Sequence, residues 1–126
     1  MKPIFFLLVF FALGSVAFAQ IPDQIVVSIQ NGNDVSLSTF FNENVELVVE
    51  SHDDVYSKSQ AQQIVAKFFK SNKPKQFKII HDGEKEDTSF AIGSLISANG
   101  TFRVSILLKN KNSHPYIHRL LIEKQG

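Results

Sequence analysis

His81, His118 and Tyr56 are the side chains of this sequence best suited to acid–base chemistry. Imidazole changes charge near neutral pH, and a phenol can donate a proton or a hydrogen bond. Both histidines fall within predicted strands, where an imidazole can act as a base or orient a ligand. The competing expectation is a partly buried histidine satisfied by backbone. Arg103 shares strand parity with Ser105 and Leu107, which places it on the outer face of a sheet. There it is expected to pair with a carboxylate on a neighbouring strand, with anion binding as the alternative.

Metal chemistry has weak support. His114 and His118 lie four residues apart, and an extended strand would separate them by roughly 13 Å. His52-Asp53-Asp54 offers oxygen ligands in a turn, but lacks the alternating oxygen pattern of a calcium loop. The chain has no cysteine, which excludes thiol nucleophiles, thiolate metal sites and disulfides. It also lacks a G-x-S-x-G elbow and a glycine-rich phosphate loop. No metal or cofactor is therefore expected. Asn99-Gly100-Thr101 matches a glycosylation sequon but also reads as a tight type I′ turn. Lys67, Lys70, Lys73, Lys75 and Lys78 gather around a helix C-terminus, whose partial negative charge they complement.

The elements that must position these groups follow from periodicity. Ile21 to Gln30 reads as a helix with Ile25, Val26 and Ile29 inward, stopped by Asn31-Gly32-Asn33. Asp34 is expected to cap a second short helix carrying Leu37, Phe40 and Phe41 inward. Val45 to Glu50 reads as a strand, and Val55-Tyr56 as a brief one. Ser57 and Gln60 fit a capping box. The helix that follows has Ala61, Ile64, Val65, Phe68 and Phe69 on one face, and Pro74 bars its return. Strands are then expected at Gln76 to His81, Thr88 to Ala98, Thr101 to Lys109 and Tyr116 to Lys124. Gly93 inside the second of these suggests a bend or bulge. Helices first and an antiparallel meander afterwards make an α+β fold.

The first nineteen residues have a separate meaning. Met1-Lys2-Pro3 is a short basic start, and Ile4 to Leu13 holds no polar residue. Ala17 and Ala19 then stand at the positions read by a signal peptidase, with cleavage expected before Gln20. The apolar run is about half the roughly twenty residues of a spanning helix, so no membrane span is expected after cleavage. The chain of 126 residues would become a single domain spanning 20–126. The full chain has 13 Lys+Arg and 12 Asp+Glu, and loss of Lys2 with the leader leaves 12 against 12, which gives no electrostatic footprint for nucleic acid.

The order helix, helix, strand, helix and four antiparallel strands resembles the nuclear transport factor 2-like cone. More closely, the chain resembles a family of small secreted bacterial domains of unknown function in that superfamily. The resemblance is carried by Gln20-Ile21-Pro22-Asp23, Asn44-Val45-Glu46-Leu47, Val55-Tyr56-Ser57-Lys58-Ser59-Gln60-Ala61, Phe77-Lys78-Ile79-Ile80-His81, Asn99-Gly100-Thr101-Phe102-Arg103-Val104 and Ile117-His118. It implies helices packed on a curved antiparallel sheet, and a periplasmic or secreted protein of a Gram-negative envelope. Cone-fold enzymes such as ketosteroid isomerases keep acid, base or oxyanion groups deep in the pocket, but the positions expected inward here are Phe, Ile, Val and Leu. The reading is therefore an exported binding or interaction module. It would use a small apolar pocket or a sheet face, with an unknown small molecule or envelope protein as partner. An envelope enzyme with a His or Tyr acid/base is the alternative. Relatives with this cone often dimerise through the outer sheet face. Ala91, Leu95, Arg103, Leu107, Ile117 and Leu121 are the residues expected there, in a homodimer.

Overall fold

The computed structural model describes residues 21–126. The expected leader and its cleavage site at Ala17, Ala19 and Gln20 lie outside the described residues. Among the described residues, three helices precede or interrupt six strands. They are α1 (Asp23–Gln30), α2 (Asp34–Ser38), β1 (Phe41–Val49), β2 (His52–Ser57), α3 (Lys58–Ser71), β3 (Pro74–Lys85), β4 (Thr88–Ser97), β5 (Gly100–Lys111) and β6 (His114–Lys124). The strands form one sheet in the order β2-β1-β6-β5-β4-β3. The β1–β6 pair is parallel and the other pairs are antiparallel. The fold is the expected α+β arrangement, with one parallel pair that the meander reading did not include.

Local chemistry explains the helices. Gly32 takes φ +64° just beyond α1, the left-handed cap position that costs glycine little. Asn33, not Asp34, caps α2, accepting a hydrogen bond on Oδ1 from the Ser36 amide. Phe41 lies beyond α2 and opens β1. The capping box of α3 forms as expected: Ser57 Oγ accepts from the Gln60 amide, and Gln60 Oε1 accepts from the Ser57 amide. The face of α3 bearing Ala61, Val65, Phe68 and Phe69 is buried, and Ile64 is half-buried at its border. Phe68 meets Phe102 of β5 edge-on at 4.9 Å between ring centroids.

The helices cover one face of the sheet. Phe41, Val45, Leu47, Val49, Leu95, Phe102, Val104, Ile106, Leu120 and Ile122 point towards them and are buried. Alternation along β1, β4, β5 and β6 leaves the opposite face turned outward. Asn99 closes the far end: its amide Nδ2 donates to the Ser71 carbonyl at the C-terminus of α3.

Both sheet edges are partly occupied by the chain's own side chains. On β2, the Val55 amide donates to Asp54 Oδ1, and the Ser57 amide to Gln60. On β3, the Phe77 amide donates to Gln30 Oε1 from α1, and a bulge interrupts the register between Ile79 and His81. Such devices hinder the addition of a foreign strand.

Candidate functional site

The three acid–base candidates are not brought together. Tyr56 lies on β2 and His81 on β3, the two opposite edges of the sheet. Five strand spacings separate them, roughly 24 Å along the hydrogen-bonding direction of a flat sheet. His81 is exposed and rests against the ring of Phe90, 5.6 Å away between centroids. Tyr56 faces the helix side and meets His52 edge-on at 6.0 Å. His118 stands alone of the three in a bulge of β6. Leu108 pairs with Ile117 but Leu107 pairs with Arg119, so His118 is the extra residue. Its Nε2 is buried without a hydrogen-bond partner. Its pKa lies below the ordinary 6.5, first through desolvation and then through repulsion by Lys109 and Lys111.

That bulge corrects the surface expected from sequence. Strict alternation puts Ile117 and Leu121 on the same face, whereas the inserted His118 reverses the phase between them. Ile117 is buried on the helix side and Leu121 is half-exposed on the other. Ala91 and Leu95 were also expected outward and are buried in the core. Their phase follows from the β4–β5 hairpin, which pairs Ser97 with Gly100 and therefore Leu95 with Phe102 and Ala91 with Ile106. The turn residues are Ala98 and Asn99, one position earlier than the expected Asn-Gly turn, and Gly100 supplies the positive φ of +127°. Arg103, Leu107 and Leu121 do occupy the outward face.

Sequence reasoning missed Phe90 and Ile92, the outward residues of β4. The signal was available: counting antiparallel register back from the inward Phe102, Val104 and Ile106 turns Phe90 and Ile92 outward. The registers assemble two rows across the sheet. One runs Phe90, Leu107, Arg119, Glu46, and the other Ile92, Ser105, Leu121, Val48. Between them lies a shallow groove of about 170 Å³, lined by Phe90, Ile92, Ser105, Leu107, Arg119 and Leu121 together with Ala91 and Ile106. Arg119 Nε lies 3.5 Å from Glu46 Oε1, so the apolar centre ends at an exposed ion pair. Arg103 stands opposite Glu123 in the register, yet the ion pair among the described residues belongs to Arg119.

No group of three or more His, Cys, Asp or Glu side chains is placed to hold a metal ion among the described residues. No helix among them is long and apolar enough to cross a membrane.

Comparison with known proteins agrees with this architecture. A family model described as a domain of unknown function (DUF4783) matches residues 22–123. The crystal structure of a DUF4783 family protein from Bacteroides ovatus is 31% identical, with a TM-score of 0.81 over 84% of this chain and 96% of that one. More distant structures share the fold. Rd1NTF2_04 with long sheet is 14% identical, with a TM-score of 0.65 over 79% of this chain and 94% of that one. A domain of unknown function with a cystatin-like fold from Nostoc punctiforme is 7% identical, with a TM-score of 0.66 over 82% and 72%. No curated protein matches the chain. The match across almost all of the described residues, together with a sheet and helices in the nuclear transport factor 2-like arrangement, shows that this chain belongs to the DUF4783 family.

Proposed function

We propose that this protein is an exported interaction module that docks through the outward face of its sheet, with a second copy of itself as the partner. The carrying observation is the apolar centre of that face: Phe90, Ile92, Leu107 and Leu121 lie partly exposed, with no helix over them, on the middle strands β4, β5 and β6. Phe90 is 38% exposed, and Ile96, further along β4, 41%. Clustered apolar side chains of this kind mark interaction surfaces more often than scattered ones do. The surrounding Arg103, Arg119, Glu46 and Glu123 supply a polar rim of both signs, as protein interfaces have. A self-complementary two-fold contact can use such a mixed rim, because each basic group can meet an acidic group of the other copy.

Export is supported by the basic start, apolar run and Ala17/Ala19 pattern of the first nineteen residues. The resemblance to a family of small secreted bacterial domains adds a periplasmic or secreted setting of a Gram-negative envelope to this reading. The absence of cysteine suits it, because the fold needs no disulfide to assemble.

The test is sedimentation velocity on the purified exported chain and on Leu107→Lys and Leu121→Lys variants. The proposal expects a dimer for the native chain and monomers for both variants, with circular dichroism unchanged. Unchanged dimers in both variants would overturn the choice of face.

A further inference from the structure

A second concave surface lies on the helix side, at the β2 edge, away from the outward face. It is a groove of about 240 Å³ lined by His52 and Tyr56 from β2 and Gln60, Gln63, Ile64 and Lys67 from α3. That volume is just under the roughly 300–1,000 Å³ typical of sites for drug-sized molecules, so it suits one small ring. We propose that this groove binds a small acidic sugar, a single ring carrying one carboxylate.

The lining is rich in donors and contains no acid. α3 itself has no acidic residue along its length, while Lys58, Lys67 and Lys70 are basic. Lys67 is the cation of the groove, and no carboxylate among the described residues pairs with it. Gln60 is a prepared donor. Both of its capping bonds, from the Ser57 amide and the Ser57 hydroxyl, use Oε1, which leaves the Nε2 hydrogens free and the amide held in place. His52 adds an imidazole, whose Nδ1 is buried with no hydrogen-bond partner. Gln63 offers both a donor and an acceptor, the pair a sugar hydroxyl requires. The Tyr56 ring and Ile64 provide apolar surface for the C–H face of a ring.

The neighbouring strand edge argues against an extended peptide here. The Val55 and Ser57 amides, which an added strand would need, are already bonded to Asp54 and Gln60 side chains.

The experiment is a ¹H–¹⁵N correlation titration of the exported chain with D-glucuronate, N-acetylneuraminate and neutral D-glucose. At least one acid is expected to give saturable shifts at His52, Tyr56, Gln60, Gln63 and Lys67. Glucose is expected to bind more weakly, because it lacks the carboxylate. Lys67→Met should weaken the acid about fivefold and leave glucose unaffected, as expected for one exposed ion pair. Gln63→Ala should weaken both sugars. Both positions are exposed, so well-dispersed spectra of the variants report that the fold is kept. Absence of saturable shifts with both acids, shifts centred on the outward face, or equal affinity in Lys67→Met would each overturn the proposal.

Discussion

Gly93 shows how a single residue answers to distant chain. A Cβ built there would stand 2.5 Å from ring carbons of Phe77 and 2.9 Å from the Lys78 carbonyl. The Phe77 ring therefore occupies the space a side chain would need. Gly93→Ala should destabilise the fold by about 1–3 kcal/mol, the usual cost of overpacking, measured as a lower urea midpoint. An unchanged midpoint would mean that the ring moves aside freely. The sequence pointed to Gly93 as a bend or bulge, and a bulge does lie there: Gly93 pairs with Ile79 and Ile92 with His81, so the extra residue, Ile80, is on β3, while Gly93 keeps its pairing with Val104. Local pattern cannot reveal a ring arriving from sixteen residues away. His118 carries the second residue-scale prediction. Its folded pKa is lowered, by desolvation first and then by Lys109 and Lys111. Between that lowered value and the ordinary 6.5, the unfolded chain binds the proton and the folded chain does not. The contribution is therefore fully present above 6.5 and is lost as pH falls through 6.5 towards the folded value. Urea midpoints measured from pH 8 to pH 5 should fall less in His118→Gln than in the native chain. Equal slopes would remove His118 as a source of acid sensitivity.

At the scale of elements, α3 was the most legible. Its apolar spacing and its S-x-x-Q start are both local, and the structure shows the same buried face and the same capping box. Its seat is the sheet, through the edge-on contact of Phe68 with Phe102. Phe68→Ala should cost about 3–5 kcal/mol in chemical denaturation, because a fully buried ring leaves a cavity between two rigid layers. A loss below about 1 kcal/mol would contradict that packing, since it would match removal of about one methyl group rather than a buried ring. The strands were legible in number and rough extent, but not in phase. In β6 the extra residue His118 reverses which side chains face inward, and nothing in Tyr116-Ile117-His118-Arg119-Leu120 announces it. In β4 the phase was recoverable from the hairpin register, and the turn is one residue away from where Asn-Gly suggested. The parallel β1–β6 pair joins segments about seventy residues apart, which periodicity cannot report.

For the molecule as a whole, the decisive asymmetry is a sheet covered on one face and open on the other. Helices α1, α2 and α3 meet the buried side, where Phe41, Phe68, Leu95 and Leu120 fill the space between the layers. That filling explains why no acid–base group was found deep inside: the inward positions are apolar, and Tyr56, His81 and His118 are spread over separate strands. The proposed docking uses the open surface, chiefly the rows running from Phe90 to Glu46 and from Ile92 to Val48. The α+β class and the helix-then-meander order were readable because they rest on composition and period. The outward-facing residues were read only in part because they depend on register. Native mass spectrometry of the chain exported and purified from a Gram-negative host tests the central claim most directly. The account predicts twice the mass of the processed chain, reverting to a single chain in Leu107→Lys. A native chain that stays monomeric at every concentration measured would contradict it.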